Sequence, residues 1–234
     1  MNSSNKKNIV LIPGLLCDSA LWHNQIPVLE EAGYSVFVAD ITNASTITDL
    51  AQNVLGQAPK EFVLMGLSMG GYVCLEIMRQ AQDRVQKLII SNSSARQDSE
   101  QTKRRRRGLI QLAGMGKFKG VTPKLLPLLL HESRLDDEEL TQLIMDMAER
   151  VGRDAFERQQ KAILSRIDSV PHLEEIKTPT LIIGGDSDAI TPSSHALEMA
   201  DKIKGAECHI FEICGHLAPL EYPNKFNQIM KNFL

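Results

Sequence analysis

Six short apolar runs punctuate the chain: Asn8–Ile12, Ser35–Ile41, Glu61–Leu67, Val85–Ser91, Thr180–Gly184 and Glu207–Ile213. Most are nearly continuous in Val, Ile, Leu or Phe rather than alternating with polar residues. That is the pattern of strands buried on both faces, as in a parallel sheet. Between them run helical periodicities: Ser19–Ala32, Ile47–Gln57, Ser68–Gln80, Pro192–Ile203 and Glu221–Leu234. Strand–helix alternation implies right-handed crossovers and an α/β architecture, a doubly wound, mostly parallel sheet of about six strands.

The alternation breaks once. Nearly 90 residues separate Val85–Ser91 from Thr180, too many for a loop. Their patterning is helical, over Leu109–Ala113, Lys124–Leu130, Asp136–Val151 and Asp154–Ile167. The expected organisation is a core of residues 1–95 and 173–234 with a helical insertion, 96–172, between its halves. The composition, 43% hydrophobic and 24% charged over 234 residues, allows a large core without disulfides. The net charge of −3 gives no bulk attraction to nucleic acid or to a membrane surface. Cys17, Cys74, Cys208 and Cys214 show neither a Cys-x-x-Cys pair nor a zinc spacing. The polar N-terminus reads as no signal peptide, and no apolar stretch approaches a membrane span. A cytoplasmic protein is the expectation.

Gly66-Leu67-Ser68-Met69-Gly70 is a G-x-S-x-G motif. By composition alone such a motif arises in roughly one chain in ten of this length, so its setting decides. It lies between a predicted strand and a predicted helix, where a sharp turn projects the Ser hydroxyl and a helix N-terminus faces the reacting oxygen. A Ser hydroxyl needs a base. Of the six His residues, His216 follows Gly215 in the loop after the last predicted strand, at the same sheet edge as Ser68. His209 lies within a strand, His195 starts a helix, His131 and His172 fall in the insertion, and His23 is second choice. The base needs an orienting acid. Asp186 and Asp188 compete in the loop after the fifth strand. Asp188 is preferred, with Asp186 read as a turn residue bonding its own backbone. For the oxyanion, the candidate donors are the main-chain N–H groups of Met69 and of Leu15, with Leu16 behind it, where Gly14 permits close approach.

The order Ser68…Asp188…His216, with the stretches Leu-Ile-Pro-Gly-Leu-Leu-Cys-Asp (11–18), Gly-Leu-Ser-Met-Gly-Gly (66–71), Gly-Asp-Ser-Asp-Ala-Ile-Thr-Pro (185–192) and Gly-His-Leu-Ala-Pro-Leu-Glu-Tyr-Pro (215–223), resembles the α/β-hydrolase superfamily from Asn8 to the C-terminus, the insertion excepted. The resemblance is greatest to compact carboxylesterases of the pimeloyl acyl-carrier-protein methyl ester esterase type. It implies a helical cap over the site and ester hydrolysis by an acyl-enzyme route, with no metal and no organic cofactor. Pro13 stands where such loops often carry His, and Asp40-Ile41-Thr42-Asn43 lacks their usual Gly-x-Gly turn.

Apolar residues of the insertion could line an acyl pocket or merely pack it. Leu16, Trp22, Leu112, Met115 and Leu126 are the candidate substrate contacts. The insertion carries excess positive charge, concentrated in Lys103-Arg104-Arg105-Arg106-Arg107. Interleaved acids make a solvated helix face the plain reading; an acidic acyl-carrier protein is the alternative partner. Thioester or carbon–carbon bond hydrolysis would use the same three residues, and a non-catalytic receptor on the same fold is the reading from another class.

Overall fold

The computed structural model describes residues 7–234, so the polar leader, 1–6, lies outside the described residues. Six strands form one fully parallel sheet: β1 (Lys7–Ile12), β2 (Tyr34–Val38), β3 (Phe62–Leu67), β4 (Val85–Ser91), β5 (Thr180–Gly185) and β6 (Glu207–Phe211), in the order β2-β1-β3-β4-β5-β6. Every residue of β3 and β5 is buried, which explains why Thr180 is the one polar residue in either. The chain passes from β1 to β2 on one side and returns to β3 on the other. The gap between the carboxyl ends of β1 and β3 is therefore the switch point of the sheet, where such folds open a crevice.

Helices cover both faces. On one face α2 (Ile47–Gln57) and α3 (Met69–Ala81) pack Leu50, Val54, Val73 and Ile77 against Val10, Leu64 and Ile90. On the other, α9 (Pro223–Phe233) packs Phe226 and Met230 with Ile9, Met65 and Ile183. One expected helix is broken in two. Residues 19–32 form a 3-10 turn, Ser19–Trp22, capped by Asp18, and then α1 (Ile26–Glu31), because Pro27 lacks the N–H that would join them. The expected C-terminal helix is found as α9, starting at Pro223, and a separate short helix, α8 (Ala218–Glu221), precedes it. Two expected insertion helices are instead one kinked element. α6 (Glu138–Ser165) runs through Gly152, whose φ of 75° is open to glycine at little cost.

Between β4 and β5 lie α4 (Glu100–Leu112), α5 (Leu126–Leu129) and α6. The chain entering and leaving this insertion is tied at its base. Ser169 N–H donates to Ala95 O at 2.8 Å. Arg106 and Arg166, both largely buried, converge on Asp98 at 2.5 and 2.9 Å, and Arg166 lies 3.9 Å over the Tyr72 ring. Among the described residues no helix is long and apolar enough to cross a membrane.

Candidate active site

The G-x-S-x-G turn is dictated by close packing. A Cβ on Gly66 would sit 2.5 Å from Cys74 Sγ, and one on Gly70 would strike the carbonyl oxygens of Ile12 and Pro13. Glycine at these places lets α3 start hard against the end of β1. The turn holds Ser68 at φ 56°, ψ −115°, a conformation that costs a non-glycine residue on the order of 1–3 kcal/mol. The other described non-glycine residues with positive φ are Leu16, Asn92 and Ile213. All four follow the carboxyl ends of strands (β1, β3, β4 and β6), so the backbone strain gathers at one edge of the sheet.

His216 and Asp188 meet Ser68 there. Ser68 Oγ lies 2.8 Å from His216 Nε2, and His216 Nδ1 lies 2.8 and 3.0 Å from the Asp188 carboxylate. All three residues are buried; Ser68 itself is only 8% exposed. The Asp188 carboxylate also accepts from Thr191 Oγ (2.8 Å), from the N–H groups of Ile190 and Thr191 (2.8 and 2.9 Å), and from Asn92 Nδ2 (3.1 Å). Burial opposes its charge, but the His216 ring, Thr191 and Asn92 outweigh that and hold its pKa at about 2. Asp186 does not close a turn on its own backbone as expected; its carboxylate accepts from Ser187 Oγ and, across to the histidine loop, from Cys214 N–H.

This low pKa makes a prediction. The carboxylate is stabilised on folding relative to an ordinary 3.8, worth on the order of 2 kcal/mol. Because the folded pKa is depressed, this stability is complete above about pH 4 and is lost as the pH falls toward 2. In urea denaturation series, the stability gap between the native chain and Asp188→Asn should be widest at neutral pH and shrink across that acid window.

Asn92 was not apparent in the sequence. It follows β4 with φ 46° and is buried. Its Nδ2 donates both to Asp188 and to Gly215 O at 3.0 Å, and its Oδ1 accepts from Ser91 Oγ at 2.7 Å. One side chain thus fastens the acid loop to the histidine loop. The only available signal was an Asn, a residue tolerant of the left-handed region, directly after a strand. The histidine loop is held from the insertion as well. His216 N–H donates to Leu129 O at 2.9 Å, while the buried Glu221 accepts from the N–H groups of His131 (2.8 Å) and Leu217 (3.3 Å).

At the end of β1, Leu16 N–H donates to Gln159 Oε1 of α6 at 3.2 Å. That removes the second choice for an oxyanion donor. Among the described residues, Leu15 N–H and Met69 N–H have no hydrogen-bond acceptor, and the preceding Gly14 carbonyl is fixed by Cys17 N–H at 3.1 Å. Leu16 enters an apolar cluster with Ala113, Ala148 and Phe156, flanked by Leu15, Phe118 and Val151.

The other expected substrate contacts lie elsewhere. Trp22 is fully buried and packs against Phe226, with ring centroids 6.5 Å apart, because the 3-10 turn directs it into the core. Leu112 and Met115 are exposed, 44% and 70%: α4 buries none of its residues, and the wider turn that follows it, Ala113–Lys117, buries only Ala113. Leu126 is buried in the cluster that holds Leu130, Leu140 and Leu217. His23 is an exposed residue bonded to Ala20 O. Two surface clefts of about 430 Å³ each lie away from Ser68, one between α3 and residues 169–176, the other beside Phe118 and Val151. No competing thiol is poised to react: burial pushes Cys17 up to about 12 and raises Cys74, Cys208 and Cys214 as well.

The chain belongs to the alpha/beta hydrolase family, whose model matches residues 9–229. It is similar to the 2-hydroxy-6-oxononadienedioate/2-hydroxy-6-oxononatrienedioate hydrolase of Escherichia coli, with 29% identity covering 97% of this chain and 87% of that protein. Among solved structures, a thermophilic esterase from Thermogutta terrifontis matches with a TM-score of 0.84 and 26% identity, covering 97% of this chain and 89% of the other. The enol-lactonase from Burkholderia xenovorans matches at 0.89 and 23%, covering 100% and 93%. The second likeness is one of fold.

Proposed function

We propose that this hydrolase cleaves carboxylic esters of small to medium acyl groups through Ser68, His216 and Asp188. The carrying observation is the unbroken hydrogen-bonded line from Asp188 through His216 to Ser68 Oγ. In this reading Ser68 Oγ attacks the ester carbonyl while His216 Nε2 takes its proton. Asp188 holds the Nδ1–H tautomer and faces the imidazolium charge. The carbonyl oxygen, now negative, receives the N–H groups of Leu15 and Met69. Collapse breaks the C–O bond, and His216 returns its proton to the departing alcohol. Water, deprotonated by the same ring, then attacks the acyl-Ser68 carbonyl and frees the acid. The chemistry as written calls on no metal or organic cofactor.

The insertion acts here as a cap. Its Ala113, Phe118, Ala148 and Phe156 meet Leu15 and Leu16, an apolar setting suited to an acyl chain. The esterase likeness at 26% identity favours this substrate class. The relative from Escherichia coli favours a second reading, hydrolysis of a carbon–carbon bond beside a ketone. A carrier-linked acyl ester is the narrower possibility within the first reading. Two cations of the basic run are already paired, Lys103 with Glu100 and Arg106 with Asp98, so free esters are the first substrates to offer.

The test is hydrolysis of p-nitrophenyl esters of increasing chain length beside a vinylogous 1,5-diketone acid. Ser68-dependent ester turnover with a length optimum is the expected result. Turnover of the diketone alone would move the assignment to carbon–carbon cleavage. No turnover of either by folded protein would turn it toward a binding role.

A further inference from the structure

Gln159 is fully buried in α6, a costly place for an amide unless both ends are bonded. Both are. Its Oε1 accepts from Leu16 N–H at 3.2 Å, and its Nε2 reaches Ile41 O at 3.4 Å. One side chain of the insertion thereby grips the main chain of two core loops, those after β1 and β2. Leu16 is the left-handed residue of the first loop, and the peptide plane that Gln159 holds adjoins the one carrying Leu15 N–H.

The same helix makes other ties that do not touch this peptide. Arg158 donates to Thr42 O at 2.6 Å, and Arg150 pairs with Asp18 at 2.6 Å. Ala148 and Phe156, on either side of the Gly152 kink, both pack in the cluster with Leu16. Only Gln159 among these makes a hydrogen bond to the main chain of the oxyanion loop.

We propose that Gln159 is a positioning residue for the oxyanion loop, so that seating of α6 on the core and correct aim of Leu15 N–H are one event. Its catalytic half rests on the ester-hydrolase reading above. Its structural half, the hold on the Leu16 amide, does not. With Gln159 removed, the Leu16 peptide loses its acceptor inside an apolar cluster, and the loop can turn to find another. Substrate binding does not use this contact; what suffers is the step in which the oxyanion forms.

Two readouts separate these halves. Amide exchange at Leu16, followed by NMR, and kcat with KM on a p-nitrophenyl ester are measured for the native chain, Gln159→Leu, Gln159→Glu and Arg158→Ala. Gln159→Leu should speed Leu16 exchange at least about tenfold. It should lower kcat by about tenfold to a hundredfold, less than outright loss of an oxyanion donor, with KM within about twofold. Gln159→Glu keeps an acceptor and should restore most of both. Arg158→Ala cuts a neighbouring tie and should leave both unchanged. Should Gln159→Leu not fold, Gln159→Asn, too short to reach both partners, carries the same expectation. Unchanged Leu16 exchange in the Gln159 variants overturns the proposal, as does an equal loss of kcat in Arg158→Ala or a loss confined to KM. If the native chain turns over no ester, the ester-hydrolase reading fails, while Leu16 exchange still decides whether Gln159 holds the loop.

Discussion

Ser68→Ala should lower kcat on any ester the native chain hydrolyses by about 10⁴- to 10⁶-fold while leaving the fold intact. The alanine loses one oxygen from a largely buried position and keeps the backbone. Nothing else in the site can replace the nucleophile. The thiols of Cys17, Cys74 and Cys214 are held protonated by burial, and Thr191 Oγ donates to Asp188. His216→Ala should cost about as much, and the double variant little more than either. Ser68 without its base remains a hydroxyl, and the base without Ser68 has no proton to take. Steady-state rates of the three variants on one p-nitrophenyl ester, with thermal midpoints for each, check this. Additive losses would mean that the residues act in separate steps; full activity in Ser68→Ala would sink the mechanism.

The sheet is legible in the sequence because its physics is local. A strand covered by helices on both faces must be almost wholly apolar, and β3 and β5 are, with Thr180 at the start of β5 the one polar residue. The glycines of the Ser68 turn are likewise a local demand, set by the approach of α3 to the end of β1. Ser68, Asp188 and His216 could be named because each follows a strand of a parallel sheet, and parallel strands bring their carboxyl ends to one edge. The alternation of strands and helices therefore does the work of a three-dimensional argument.

What sequence could not supply is the direction of side chains in the insertion and the identity of residues that act across it. Leu112 and Met115 are apolar and in the right segment, yet Ala113, at the start of the turn after α4, is the residue that is buried. Trp22 looks like a site aromatic by its nearness to the β1 loop, but a 3-10 turn rotates it into the core. Gln159 meets Leu16 across a separation of 143 residues, and Asn92 meets Asp188 across 96. No periodicity marks such pairs, since each depends on how the insertion and the loops settle on the sheet. Both are buried polar residues whose amides hold the main chain of distant loops, and Asn92 an acid as well. They are placed where residues with positive φ, Leu16 and Asn92 among them, need support.

Asp188→Asn should lower kcat by about 10⁴-fold with KM little changed. The reason lies in the tautomer. The carboxylate accepts His216 Nδ1–H, which leaves Nε2 bare toward Ser68 Oγ at 2.8 Å. An asparagine is surrounded by the same donors: the N–H groups of Ile190 and Thr191 bond Oδ1, while Thr191 Oγ and Asn92 Nδ2 bond Oδ2. The main-chain donors take the amide oxygen, so the amide NH₂ faces His216 and forces Nδ1 to accept. The ring proton then moves to Nε2, where it blocks removal of the Ser68 proton. Asn92→Ala makes a graded comparison. It removes one of several donors to Asp188 and the tie to Gly215 O, but leaves the carboxylate and the tautomer. Its loss in kcat should be about tenfold to a hundredfold, with a stability cost of about 1–3 kcal/mol from the partners left unpaired. A pH–rate profile separates the two variants. Asn92→Ala should keep the native shape at a lower plateau. Asp188→Asn should recover rate as the pH rises and hydroxide substitutes for the base, and a flat profile at the native plateau would remove Asp188 from the mechanism.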